Sequence, residues 1–334
     1  MAGSGIVIIG GGLTGLAAAW ELERRGQRYT LIEVKRRLGG AIASEQIEGW
    51  TLDASAFVLE QYDDWPFLEP LGLSDALIPI GQYRTGRLVV FRDGTQSLID
   101  ALARQLVSGA IITRMAVSSV GPLAGSPGRY GLCLENGLLL TASAVICAVP
   151  ARYAAHLLWA LDPAIAALLD GYQYDPIARV SLGWRKADVP ALTPNIDTWK
   201  GDLDLPAAIP YASTYDLPFR VPPGGVLLRV GVRVPAPDDP KAPFDAPAAI
   251  AAARDAFHPL IGGAEPVVAR AYFWPEADPL TRYTIEHESV MATIHARLPA
   301  RVALIGSDYG VGRGARRIEG AFLQAQAAVE RVLG

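Results

Sequence analysis

The chain has 334 residues, enough for one large α/β domain or two intertwined ones around a buried core. Hydrophobic residues make up 51% of it and charged residues 19%, which excludes a disordered chain, and a net charge of −4 leaves no basic footprint for nucleic acid. The 34 glycines and 25 prolines predict many turns, above all in the second half.

Residues 6–9 form a short apolar run, as a buried parallel strand does. Residues 13–25 read as a helix: Leu13, Leu16, Ala17 and Trp20 recur on one face, and charges collect at Glu21, Glu23, Arg24 and Arg25. Gly26 ends that helix, and residues 29–33 are the next strand, completing a βαβ unit. Residues 64–73 offer one short helix. A further helix, 96–106, follows Asp93-Gly94-Thr95, with Asp93 or Thr95 as its N-cap. Strands are predicted at 110–113 and 116–120. Two more, 130–134 and 138–141, flank Asn136-Gly137 as a hairpin. Residues 144–149 read as a buried strand and 151–159 as a helix.

From about residue 172 the pattern changes. Alternating segments at 178–184, 226–234 and 267–273, separated by proline-rich loops, predict a mostly antiparallel sheet. A helix over 247–257 carries proline at its first position, where the missing N–H costs nothing. Residues 302–306 are a last buried strand and 319–333 a last helix. Cys133 and Cys147 sit in apolar strands and are expected as buried thiols, in keeping with a reducing, cytoplasmic compartment. The four histidines show no zinc-ligand spacing, so no metal is expected. No basic segment precedes the glycines at the start, so no secretory signal is read there. The best apolar run, 154–169, is broken by His156, Asp162 and Pro163, so no membrane span is expected.

The chemistry-bearing motif is Gly10-Gly11-Gly12-Leu13-Thr14-Gly15, between a strand and a helix. Gly10 permits the tight turn, Gly12 lets backbone approach a pyrophosphate, and Gly15 lets helix and strand pack closely. The free N–H groups at the helix start, at Leu13 and Thr14, favour phosphate charge. Glu33 ends the second strand, placed to accept hydrogen bonds from ribose hydroxyls, which disfavours a 2′-phosphate and with it NADP.

The next segment is Glu33-Val34-Lys35-Arg36-Arg37-Leu38-Gly39-Gly40, followed by Ala41-Ile42-Ala43-Ser44 and Gly49-Trp50-Thr51-Leu52-Asp53. It resembles the flavin amine oxidase and protoporphyrinogen oxidase superfamily, whose members follow the ribose acid with a basic stretch and a glycine pair. The resemblance implies that this stretch, Val34 included, lies along FAD and that Gly39 and Gly40 approach its pyrophosphate. Many members carry arginine where this chain has Ala41, which leaves a phosphate contact to Lys35 or Arg36. Met115-Ala116-Val117 resembles the strand whose valine backbone meets adenine, and the run ending in Ala148 the strand near the adenosine. Residues 304–312 and 317–321 resemble a second FAD segment. There Gly306, Ser307, Arg317, Ile318 and Gly320 are expected to border the flavin, Ser307 standing where relatives have Asp, Glu or Asn. Arg313, Arg316 and Arg317 are candidates for an anionic substrate or FAD phosphate, a solvated loop being as good a reading. Tyr272, Phe273, Trp274 and Tyr309 are candidates for core or for a substrate pocket. No catalytic base stands out.

What the resemblance implies is an α/β protein. A Rossmann-type FAD-binding domain (1–60, 92–160 and 300–334) would interleave with a mostly antiparallel substrate-binding domain (61–91 and 161–299). Its FAD would be non-covalent, since neither cysteine lies in the C-terminal flavin segment. It would pass a hydride from a C–N or ring C–H bond of a small-molecule substrate to the flavin, and the electrons on to oxygen or another acceptor. Residues 57–91 are too few for the large helical lobe of membrane-associated porphyrinogen oxidases. A compact renalase-like oxidase of reduced nicotinamide derivatives, a non-catalytic flavoprotein and a plain NAD-dependent dehydrogenase are the alternatives. Neither substrate nor oligomeric state follows from the sequence.

Overall fold

The computed structural model describes residues 4–83, 85–195, 205–234, 243–276, 284–312 and 318–334. Its central sheet is built from the continuous apolar runs, which must be covered on both faces. Strands β1 (Ser4–Ile9), β2 (Tyr29–Glu33), β8 (Ala110–Thr113), β11 (Leu139–Cys147) and β16 (Val302–Leu304) pair in parallel, β1 lying between β2 and β11. β9 (Val117–Pro122) and β10 (Tyr130–Leu134) extend it antiparallel along β11. Alternate residues face opposite cores. Ile6, Ile8 and Ile146 pack under α1 (Leu13–Arg24), α2 (Gln96–Gln105) and α7 (Ile318–Leu333). Val7, Ile9 and Val145 pack under α3 (Ala151–Leu158), α4 (Pro163–Asp170) and α6 (His287–Arg297).

A hairpin, β3 (Ser44–Ile47) and β4 (Trp50–Asp53), leads to a small sheet of β5 (Leu59–Gln61), β6 (Leu77–Tyr83) and β7 (Gly86–Phe91). The second large unit is a four-stranded antiparallel sheet in the order β13 (Tyr211–Tyr215), β14 (Gly225–Arg233), β12 (Ile177–Arg185), β15 (Val268–Trp274). One of its faces, carrying Val180, Leu182, Trp184, Leu228 and Val230, is apolar and packs on α5 (Ala246–Ile261). Its other face mixes polar Ser181 and Arg229 with Leu227 and Val268, which pack on Trp50 and Phe57.

Several expectations are corrected. The segments 138–141 and 144–149 are one strand, β11, which changes partner along its length: Leu139–Ala142 faces β10, and Val145–Cys147 faces β16. Residues 64–73 form turns, not a helix, because Pro70 would fall in the helix interior, where its missing N–H and its ring break the i→i−4 ladder. Cys133 is exposed, since inward positions on β10 belong to Tyr130, Leu132 and Leu134; Cys147 is buried as expected. Neither Asp93 nor Thr95 caps α2 with its side chain. Its first N–H groups go to the distant hairpin, Thr95 N donating to Asp53 Oδ1 (2.9 Å) and Gln96 N to Ser44 Oγ (3.1 Å). Helices α4 and α6 were not legible in advance. No helix among the described residues is long and apolar enough to cross a membrane.

Candidate functional site

β1 ends at Ile9 and α1 begins at Leu13, so the turn between them is all glycine. Gly10 has φ +102°, and a Cβ there would lie 2.5 Å from the Ala148 carbonyl oxygen. A Cβ on Gly15 would run into the Gly10 carbonyl. Gly15 thus serves helix–strand packing, as its position in the motif implies. No side chain caps α1 and its first turn holds no acid. Its N–H groups therefore open on a cavity of about 780 Å³, which Gly10, Gly12, Leu13 and Thr14 line.

The basic stretch folds back onto this turn. Gly39 N donates to Gly11 O at 2.7 Å, and Gly39 and Gly40 have φ of +103° and +59°. A Cβ on Gly40 would lie 3.1 Å from the Gly12 Cα, so two glycines are needed for the loops to interlock. Arg37 staples the turn, donating to Ile42 O (2.9 Å) and Gly40 O (2.6 Å). Arg36 is exposed and takes no part in the cavity wall. Lys35 does, with its ammonium 4.3 Å from the Trp274 ring centroid, where desolvation and the nearby Arg37 charge lower its pKa.

Glu33 is buried at the cavity wall, and its carboxylate already accepts two backbone bonds, from Gly11 N (2.6 Å) and Lys35 N (2.7 Å). It holds the glycine turn as well as facing the cavity. Val34, Val117 and Ala148 also line the cavity, with Tyr153 and His156 of α3. Tyr153 donates to Glu276 at 2.9 Å, and burial with that carboxylate pushes the phenol up to about 12. Gly40, Ala41, Gly306, Ser307 and Ile318 line it too.

Residues from the chain's two ends thus meet in one cavity. Besides Arg36, two expected cofactor neighbours, Gly15 and Gly320, lie off its wall. The α7 residues that do line it, Ile318, Ala321 and Gln324, repeat every third position along one helix face, and Gly320 is buried outside that row. Arg317, with Arg313 and Arg316, lies outside the described residues. Of the four aromatics, Trp274 and Tyr309 line the cavity, while Phe273 packs against Phe244 behind the four-stranded sheet.

Asp308 is the residue that sequence reasoning missed. It stands one place after Ser307, inside the segment that pointed to the site, lines the cavity and is only 2% exposed. It accepts from Ala151 N (2.9 Å), capping α3, and from the Tyr174 hydroxyl (2.5 Å), whose pKa burial and this carboxylate raise well above its usual value. Gln324 was also missed; its side-chain oxygen accepts from Gly306 N at 3.0 Å and fixes the end of β16. The histidines hold no metal cluster among the described residues. His287 is buried, Nε2 lying 3.2 Å from the Gly310 carbonyl.

Residues 63–333 match the family described as flavin containing amine oxidoreductase, and residues 8–69 an NAD(P)-binding Rossmann-like domain. Coproporphyrinogen III oxidase of Propionibacterium freudenreichii is 36% identical over 78 residues, 23% of this chain and 15% of that protein. Protoporphyrinogen oxidase 2 of Arabidopsis thaliana is 28% identical over 116 residues, 34% of this chain and 22% of that protein. The chain therefore aligns with less than a quarter of either relative. In three dimensions it superposes on a candidate protoporphyrinogen oxidase of Exiguobacterium sp. 255-15 with a TM-score of 0.80, 17% identity and 99% coverage of both chains. A putrescine oxidase variant gives a TM-score of 0.69 at 14% identity, covering 99% of this chain and 98% of that one.

Proposed function

Because the chain belongs to the flavin-containing amine oxidoreductase family, we propose that its cavity holds FAD and that it oxidises a small molecule by taking a hydride from a C–N or ring C–H bond. The observation that carries this reading is the cavity itself: one space of about 780 Å³ bordered by the glycine turn, Glu33, the Gly39-Gly40 turn and the β16–α7 junction. The wall suits a dinucleotide. A Cβ on Gly12 would meet nothing nearer than the Gly40 Cα at 3.9 Å, so a phosphate can approach the bare backbone at the start of α1. Glu33 keeps lone pairs beyond its two backbone bonds for ribose hydroxyls. The start of α7 and the buried Asp308 border the same cavity.

When bound, the flavin supplies the hydride acceptor. The chain's own residues bind and orient it. Lys35 over Trp274 supplies a cation to the cavity wall, and Ala41, Ile42 and Ala56 supply apolar surface. The porphyrinogen oxidases among the relatives favour a ring C–H donor over an amine, and a soluble oxidase without a membrane lobe fits the short 57–91 segment.

Anaerobic mixing of the holoprotein with a panel of reduced metabolites tests the redox reading. Rapid bleaching of the bound flavin by one class of donor is expected. A stable yellow protein that no donor in the panel reduces would favour a flavin with no redox task.

A further inference from the structure

The face of the four-stranded sheet turned away from α5 holds a buried polar patch beside Leu227 and Val268. Register places Ser181 of β12 and Ser213 of β13 beside Arg229 of β14, with Tyr215 two positions along on the same face. Arg220 reaches the group from the loop between β13 and β14. Both arginines are buried, Arg220 at 0% and Arg229 at 8% exposure. Among the described residues the one carboxylate paired with them is Asp53, which accepts from Arg220 and is itself 1% exposed. Asp53 is also occupied on its other oxygen by Ser44 Oγ (2.6 Å) and Thr95 N (2.9 Å). Arg220 takes that carboxylate and Arg229 donates to the backbone oxygens of Asp53 and Ser55, so the pair carries more positive charge than Asp53 balances, an arrangement proteins seldom keep without a use.

The hydrogen-bond inventory points the same way. Arg220 Nε and Nη1, Arg229 Nε, Tyr215 Oη, Ser181 Oγ and Ser55 Oγ are all buried with no protein partner. Six such atoms in one patch, every one able to donate, form a site for an acceptor. Burial and the like charge of Arg229 also push the Arg220 guanidinium below its usual range. What fills the place now is Phe57. Its ring stacks on Tyr215 (centroids 4.3 Å apart), with the Arg220 and Arg229 guanidinium carbons 4.9 and 5.7 Å from its centroid. Ring π-electrons stand in for the missing negative charge.

The patch lies one residue behind the cavity wall. Ala56 lines the cavity, and its neighbours Ser55 and Phe57 belong to the patch; Ser55 O also accepts from Arg229. Trp274, on the same face of the sheet, lines the cavity too, and its indole N–H is buried without a partner.

We propose that Arg220, Arg229, Tyr215 and Ser181 receive a carboxylate of the substrate, which enters beside the flavin and displaces the Phe57 ring. The substrate class is thus an organic acid, and a cationic amine is repelled. This inference rests on the reading of the neighbouring cavity as the flavin site.

The test uses the FAD-loaded protein and three compounds of one shape: benzoate, benzamide and benzylamine. Binding is read as a perturbation of the flavin spectrum. Benzoate is expected to bind roughly ten-fold or more tighter than benzamide, with benzylamine giving no perturbation. Tyr215→Phe removes a hydroxyl that has no partner in the empty protein, so thermal stability without ligand is kept, while benzoate affinity falls roughly ten-fold. Ser181→Ala serves as a second variant of the same kind. Benzylamine binding as well as benzoate, benzoate affinity unchanged in both variants, or no response to benzoate in a yellow protein each overturns the proposal. A protein that takes up no FAD overturns the flavin reading instead.

Discussion

Glu33 shows how one side chain serves the fold and the site together. The sequence places it 18 residues after Gly15, at the end of a strand, and from that spacing alone it reads as a ribose acceptor whose loss leaves the fold intact. The structure adds that its two oxygens hold Gly11 N and Lys35 N. Glu33→Ala is therefore expected to do two things. FAD affinity falls roughly ten- to a hundred-fold, the worth of a charge-assisted hydrogen bond. The apoprotein also loses about 1–3 kcal/mol, because two backbone donors are left without an acceptor. Titration with FAD and urea unfolding of the apoprotein measure the two effects, and a fall in affinity with unchanged stability would show that the turn holds without Glu33. Asp308 was not legible because its signal is tertiary. Nothing local tells that an acid after Ser307 meets the start of a helix some 157 positions away in sequence.

Elements with their own pattern were readable, and elements set by context were not. β2, β8 and β10 fall within the bounds that apolar runs and the Asn136-Gly137 turn set for them, since both ladder and turn are written in neighbouring residues. β11 was read as two strands because its change of partner at Ser143 leaves a polar break in the sequence but none in the backbone. The α2 cap escaped notice for the same reason as Asp308: its acceptors sit on the β3–β4 hairpin. Two helix starts give tests. Asp308→Ala removes the α3 cap and strands the buried Tyr174 hydroxyl, a loss of about 2–4 kcal/mol seen in chemical denaturation. A loss below about 0.5 kcal/mol, the range of surface substitutions, would mean that the cap is not formed. On α7 the cavity-facing residues are Ile318, Ala321 and Gln324, with Ala321 one place beyond Gly320. Ala321→Leu is expected to keep the apoprotein folded and to weaken FAD roughly ten- to a hundred-fold by crowding the cavity. Unchanged FAD affinity would place the flavin away from this helix face.

At the scale of the molecule, the fold class was legible because βαβ order, glycine spacing and the later alternating segments each constrain topology independently. The packing of α4 and α6 onto the Rossmann side was not, since that needs the path of residues far from their neighbours in sequence. The interior is also rich in phenols. Burial raises the pKa of Tyr174, Tyr215 and Tyr309 above the usual value near 10, so the folded chain holds these protons more tightly than the unfolded one. Their contribution is therefore complete below about pH 10 and is lost as pH rises beyond it, where the unfolded state ionises first. Melting temperature is expected to fall steeply above pH 10, with tyrosine ionisation at 295 nm delayed until unfolding. Free ionisation of every tyrosine near pH 10 in the folded protein would contradict this packing.

The central claim is that one cavity joins the two ends of the chain around FAD, and denaturing the purified protein tests it most directly. The supernatant is expected to be yellow and to contain intact FAD in stoichiometric amount, with no flavin left on the chain. A colourless protein that cannot be loaded with FAD would contradict the account, as would recovery of FMN alone, which needs no Glu33 and no adenosine site at Val117.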